Sequence, residues 1–308
     1  MRNNTLDTVK GILIVFVILA HIVSNGALTR HFHYLIDTFF MQLFFGVSGY
    51  LITKELFHRS VKDIFLKYWF RMIIPFLFAY ILYSLIEQQW LSILPYPWYH
   101  LWFIVALIQM IVFIYILEKL NFNRNILLLV FLSYTVLWIG TYGGNGLNEI
   151  YYWMGHKAVY YDLVFFYFCY YLRNQINLQD QNHWYVLPLF ISFALYIWIF
   201  NNHQAINYLY AFIWSLLNLT MIYLVLFNAL QHQSLKFPVI TWMGRYSLPI
   251  YLLHTIPLML LKPYMEAGKL TPYMHILLYF IGVFVVITII YNIQNTKVGK
   301  ILIIGEKV

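Results

Sequence analysis

Apolar residues run along this chain in stretches of about 17–22, separated by short polar breaks, from one end to the other. Each stretch approaches the roughly 20 residues that an α-helix needs to cross a hydrocarbon core about 30 Å thick. The period-two alternation of a barrel strand is absent, so the stretches predict helices. Ten are expected, over 9–26, 35–53, 70–88, 100–117, 125–142, 158–173, 184–200, 207–229, 239–261 and 273–293. The 158–173 stretch fits the pattern least well, being short and carrying Asp162 near its start. No soluble domain, linker or clear repeat interrupts the series, and the longest connections fall at about 53–70 and 141–158. The chain therefore reads as a single transmembrane domain over 1–308, and any chemistry must be done by the bundle and its short loops.

Composition agrees with this reading. Of 308 residues, 62% are hydrophobic and only 10% charged, against about 25% charged in an ordinary soluble domain. Mean hydropathy is +0.71. The expected fold is an all-α integral membrane protein, with lipid as its solvent. The net charge of +8 does not make it a nucleic-acid binder, because the cations sit between apolar runs as orientation signals. With the N-terminus inside, ten spans place fifteen of the 19 Lys and Arg on the inner side. Only Arg30, Lys157, Lys262 and Lys269 then lie outside. Both termini are thus predicted to be cytoplasmic. Arg2 and Lys10 ahead of an apolar run look like a signal peptide, but the rest of the chain is equally apolar, so this run is read as a retained first span. The single cysteine, Cys169, excludes an internal disulfide framework and a multi-cysteine metal site, and it is expected to pack as a small hydrophobe.

Within the apolar helices a few polar residues stand out. His21 lies eleven residues after Lys10, about 16 Å along a helix. With Lys10 at the cytoplasmic interface, His21 falls just past the middle of the bilayer. Ionisable groups there are costly and mark functional sites by default. In the ninth span His254 follows Arg245 by nine residues, about 13–14 Å, and so reaches a similar depth. Two histidines matched in depth, each above a cation, point to function, although a single buried histidine is commonly a packing residue. The ordinary histidine pKa of about 6.5 suits a general base, and burial favours the neutral ring that a base requires. Gly46, Ser48 and Gly49 in the second span would let a backbone or a thin ligand approach, with small-residue helix packing as the competing explanation. Asp7, one turn before Lys10, can pair with it or cap the helix. The basic stretch from Lys54 through Arg59, Lys62 and Lys67 to Arg71, followed by Pro75, fits orientation, anionic lipid or a dock for phosphates. His100 and Trp102 open the fourth span at its outer end, where they could meet an entering substrate or belong to the interfacial aromatic belt.

Taken together, these segments resemble the membrane acyltransferase-3 family. The resemblance lies in Leu6-Asp7-Thr8-Val9-Lys10-Gly11 with His21 at the family's Arg/Lys-x10-His spacing, and in Phe44-Phe45-Gly46-Val47-Ser48-Gly49-Tyr50. It continues through Arg71 with Pro75, His100-Leu101-Trp102-Phe103, and Gly244-Arg245-Tyr246-Ser247-Leu248-Pro249-Ile250-Tyr251-Leu252-Leu253-His254. The compact form is similar to stand-alone polysaccharide O-acetyltransferases of the fucose-4-O-acetylase-like group. The resemblance implies ten helices and a bacterial cytoplasmic-membrane enzyme. Its donor would be cytoplasmic acyl-CoA, in particular acetyl-CoA, with no permanently bound cofactor or metal. Its acceptor would be a hydroxyl of a cell-surface or lipid-linked glycan. His21, Lys10 and Asp7 would then be catalytic, Ser48, Gly49, Arg71, Arg245 and His254 would contact the donor or line its tunnel, and His100 and Trp102 would stand on the acceptor side. Lys10 replaces the arginine of many members, which keeps the charge but gives up bidentate phosphate geometry. A polysaccharide exporter or flippase is the alternative, since polar groups in membrane helices also mark translocation paths; a non-catalytic sensor or scaffold is a third reading.

Overall fold

The computed structural model describes residues 4–21, 39–88, 101–142, 156–175, 208–231 and 237–306. Among these residues every regular element is helical. The helices are α1 (Asn4–Ala20), α2 (Met41–Tyr50), α3 (Lys54–Phe57), α4 (Val61–Tyr68), α5 (Ile74–Glu87), α6 (Trp102–Lys119) and α7 (Arg124–Tyr142). They continue with α8 (His156–Gln175), α9 (Tyr208–Gln231), α10 (Pro238–Arg245), α11 (Ser247–Leu253), α12 (Ile256–Glu266) and α13 (Pro272–Ile293). A π-helical turn, Trp69–Ile73, joins α4 to α5, and a second, Gly299–Ile304, follows α13. Four segments among the described residues are long and apolar enough to cross a membrane: Val61–Glu87, Trp102–Lys119, Tyr208–Leu230 and Pro272–Ile293. The expected span 184–200 lies outside the described residues.

Local chemistry sets several helix boundaries. The Ser60 hydroxyl accepts from the Asp63 amide at 3.1 Å and starts α4, so the supposed loop 53–70 is largely helical and continuous with the third span. The Asn123 side chain accepts from the Asn125 and Ile126 amides at 3.0 and 3.2 Å, which starts α7. Thr271 caps α13 ahead of Pro272, a residue pre-shaped for the first helical turn. Inside the bundle, polar side chains return their hydrogen bonds to their own helix. Ser48, Ser215 and Asn218 donate to the carbonyls of Phe44, Ala211 and Trp214 at 2.9, 2.8 and 3.0 Å. Such back-bonding lets them sit in an apolar medium without an unmet donor.

The helix that fitted the pattern least well, α8, occupies the centre. Leu163, Val164, Phe165, Phe166, Tyr167, Cys169 and Tyr170 are all buried, shared among α2, α6, α7 and α9. A helix enclosed on every side has no lipid-facing stripe, which is why its sequence is polar and aromatic compared with the outer spans. Cys169 is buried, as its setting in the sequence implied. At the opposite extreme, α13 exposes Leu277, Phe280, Ile281, Phe284, Val285 and Ile289 along an apolar outer face.

Hydrophobic attraction gives helices no reason to associate within lipid, so close backbone approach has to supply the contact. Two glycine crossings do so. A Cβ on Gly244 would lie 1.5 Å from the Asp7 carbonyl oxygen, and one on Gly11 would lie 1.9 Å from that of Ile240, so α1 and α10 meet backbone to backbone. The Thr8 and Thr241 hydroxyls bond across the same crossing at 2.7 Å. Likewise α2 lies on α8, where a Cβ on Gly49 would fall 2.0 Å from the Phe166 carbonyl oxygen.

The ninth span departs from the expected single helix over 239–261. It is broken twice, at Tyr246 and at His254–Thr255, into α10, α11 and α12. Pro257 supplies the physical reason for the second break. It has no N–H to give to the Leu253 carbonyl, and its ring crowds that carbonyl in a continuous helix.

Candidate active site

A broken helix at membrane depth releases backbone carbonyls that must find other donors. At the α11–α12 break two side chains provide them. The His254 ring nitrogen Nδ1 lies 2.7 Å from the Tyr251 carbonyl oxygen. The Tyr83 hydroxyl, reaching across from α5, donates to the Leu252 carbonyl at 2.6 Å and also bonds the Thr255 hydroxyl. A carbonyl only accepts, so Nδ1 of His254 carries the hydrogen. In the neutral ring Nε2 then holds the lone pair. His254 is fully enclosed, with 0% exposure.

His21 stands beside it at the last described turn of α1. The two imidazole rings are 5.3 Å apart between centroids and tilted by 45°. Tyr279 of α13 presents its ring to His21 at 6.5 Å and 77°, and its hydroxyl makes a long bond of 3.4 Å to the Ile18 carbonyl. The pair foreseen from matched depth is therefore in direct contact, built by α1, α5, α11 and α13. The aromatic residues of the other motifs enclose it on one side. Phe103 meets Tyr251 at 5.0 Å, Phe44 meets Phe103 at 5.2 Å and Tyr251 at 6.1 Å, and Tyr251 meets His254 at 5.8 Å. Trp102 joins this path through Phe45 at 6.4 Å and Phe103 at 6.2 Å. His100 lies outside the described residues.

The cations lie at a distance from the histidines. Lys10 is held by Asp7 in an ion pair of 2.7 Å, with side chains 12% and 4% exposed. That burial makes the pair, which carries no net charge, part of the helix packing. Arg71 is exposed on the Trp69–Ile73 turn, and Tyr83, which braces the histidine break, follows it by twelve residues, about 18 Å along the helix. The Lys10–His21 rise of about 16 Å, reckoned at the same 1.5 Å per residue on α1, is similar. Arg245 is exposed at the end of α10. Two helices thus carry a cation at one level and a side chain of the histidine site at the next.

The remaining foreseen residues have other surroundings. The Ser48 hydroxyl is bonded to its own helix, and Gly49 packs on the backbone of α8, so the smallness of this segment serves helix contact. Gly46 does the same against Cys169, whose sulfur a Cβ would approach to 2.9 Å. Tyr83, Thr255 and Tyr279 were not foreseen. The proline two residues after Thr255 was the available signal, because it predicts freed carbonyls next to His254. Among the described residues no group of three or more His, Cys, Asp and Glu side chains comes together as a metal site would require.

The fold and the site define an integral membrane protein with a polar centre inside an apolar helical bundle. The acyltransferase-3 family model, described as an acyltransferase domain, matches residues 3–292, and the chain belongs to that family. It is a membrane acyltransferase. The comparisons with curated proteins and with solved structures gave no match.

Proposed function

We propose that the protein moves an acyl group, in particular acetyl, from cytoplasmic acyl-CoA to a hydroxyl of a cell-surface or lipid-linked glycan in a bacterial cytoplasmic membrane. The observation that carries this reading is the contact between His21 and His254 at 5.3 Å, in an aromatic enclosure about half a bilayer from Lys10 and Arg71. With ten spans and both termini inside, the cations face the compartment that holds acyl-CoA, and the histidines stand where its acyl end would meet an acceptor from the other side.

In this mechanism Arg71 and Arg245 hold the phosphates of the donor, a task suited to guanidinium groups. Lys10, oriented by Asp7, places an ammonium hydrogen-bond donor below the histidine. His21 accepts the proton of the acceptor hydroxyl as its oxygen attacks the thioester carbonyl. The carbon–sulfur bond breaks, the acyl group stays on the acceptor oxygen, and the proton passes from His21 to the departing thiolate. His254 acts next to the base. Its Nδ1 is committed to the Tyr251 carbonyl, so any orienting of a neighbouring N–H or of the reacting hydroxyl falls to Nε2. His100 and Trp102 stand on the acceptor side.

The test is transfer of label from radiolabelled acetyl-CoA to glycan, with purified protein in lipid vesicles. His21→Ala, at normal membrane levels, is expected to lower turnover by roughly 10²–10⁴, the usual contribution of a general base. Unchanged transfer in that variant refutes the role of His21. Glycan translocation by the wild-type protein with no label transferred would favour an exporter.

A further inference from the structure

The final described stretch of the chain, Gly299–Ile304 with Gly305, folds back against α5, α11 and α13. It follows residue 292, the last position matched by the family model. Gly305 has φ of +76°, a left-handed conformation that favours glycine, and its N–H and that of Glu306 both donate to the Lys300 carbonyl. A Cβ added to Gly305 would lie 2.6 Å from the carbonyl oxygens of both Phe70 and Arg71, and 2.7 Å from the Arg71 Cα. The tail thus rests directly on the backbone of the turn that carries Arg71. No side chain fits between them.

That turn is itself a π-helical insertion, Trp69–Ile73, in an otherwise continuous helix. Such an insertion has one extra residue, which changes the direction of the side chains that follow, and it persists where its surroundings hold it. Met72 and Ile303 are buried, whereas Arg71 stays exposed. Lys67 lies close enough to Arg71 to add to the positive potential there. The tail braces the buried side of the turn and leaves its cation free to meet a ligand.

We propose that residues 299–305 are a positioning element for the donor site, bracing the Trp69–Ile73 turn so that Arg71 meets the phosphates of acyl-CoA in a fixed direction. This rests on the reading of Arg71 as a donor contact. Because the chemistry occurs about 18 Å away along the helix, the brace acts on donor affinity and leaves the chemical step alone.

Gly305→Val, Arg71→Ala and the double variant, assayed in vesicles with labelled acetyl-CoA, test the proposal together with amide hydrogen exchange of residues 69–74. Gly305→Val is expected to raise the donor KM by about tenfold, with kcat within about twofold. The double variant should be no worse than Arg71→Ala, and exchange at 69–74 should quicken in Gly305→Val. Unchanged exchange, additive effects on KM, or an equal fall in kcat would overturn the brace. An active Arg71→Ala enzyme with native donor KM would overturn the donor role of Arg71 and the inference with it. A wild-type protein that transfers no label would instead overturn the acyl-transfer reading.

Discussion

Replacing His254 by asparagine separates two tasks that its ring performs. Nδ1 lies 2.7 Å from the Tyr251 carbonyl, and the ring adjoins that of His21 at 5.3 Å. The amide nitrogen of asparagine stands two bonds beyond Cβ, as Nδ1 does, so His254→Asn keeps the donor to Tyr251 and loses the far nitrogen. His254→Ala loses both. In a fully buried position the unpaired carbonyl costs about 1–3 kcal/mol, to which the cavity left by the imidazole adds. His254→Asn should therefore unfold near the wild-type midpoint in detergent, and His254→Ala well below it. Turnover should fall in both, by about a hundredfold, which is ~2.7 kcal/mol at 1.36 kcal/mol per decade. Thermal unfolding and labelled acyl transfer on the same preparations read the two quantities separately. An asparagine variant with native turnover would refute any role for the far nitrogen. If instead it is as unstable as the alanine variant, the bond to Tyr251 is not what holds the break.

Three further outcomes follow from contacts around the site. Tyr83→Phe removes the donor to the Leu252 carbonyl, bonded at 2.6 Å, and should cost about 1–3 kcal/mol of stability together with some activity; an unchanged unfolding midpoint would refute this. Gly244→Ala places a methyl group 1.5 Å from the Asp7 carbonyl oxygen, which belongs to backbone and has little freedom to move. Upward of ~3 kcal/mol is expected, seen as loss of the protein from membranes on immunoblots, and normal levels would contradict the crossing. Gly46→Ala crowds two side chains, the Cys169 sulfur at 2.9 Å and an Ile222 methyl at 3.2 Å, while the nearest backbone atom, the Phe165 oxygen, stays at an ordinary 3.8 Å, and it should cost about 1–2 kcal/mol. Cys169→Ala should relieve part of that cost, so additive effects in the double variant would exclude the contact.

Much of this structure was legible in the sequence, because lipid imposes a simple length rule on apolar runs. α6, α7, α9 and α13 start and end within a few residues of the expected limits. The interior was harder to read. α8 looked weak because hydropathy measures exposure to lipid and this helix has almost none. The ninth span looked continuous because window-averaged apolarity does not register a proline that cancels one hydrogen bond. The histidine pair could be foreseen from depth alone, since eleven and nine residues of helix rise bring His21 and His254 to similar levels above Lys10 and Arg245. Tyr83 and Tyr279 could not. Each is one tyrosine among 28, and only the tertiary arrangement distinguishes them. The glycines of α2 show the reverse: their spacing allowed either packing or ligand access, and the backbone of α8 at Gly49 and the Cys169 side chain at Gly46 occupy the space.

The enclosure of α8 bears on how the protein is made. A segment with Asp162, Arg173 and several tyrosines gains little from leaving a translocation channel into bare lipid, where apolarity alone rewards insertion. Its hold on the membrane comes from α2, α6, α7 and α9, which cover it on all sides. Three of these precede it in the chain and one follows, so α8 enters a setting prepared largely by helices made before it. Biogenesis of the bundle thus has a dependence among spans that their linear succession does not reveal.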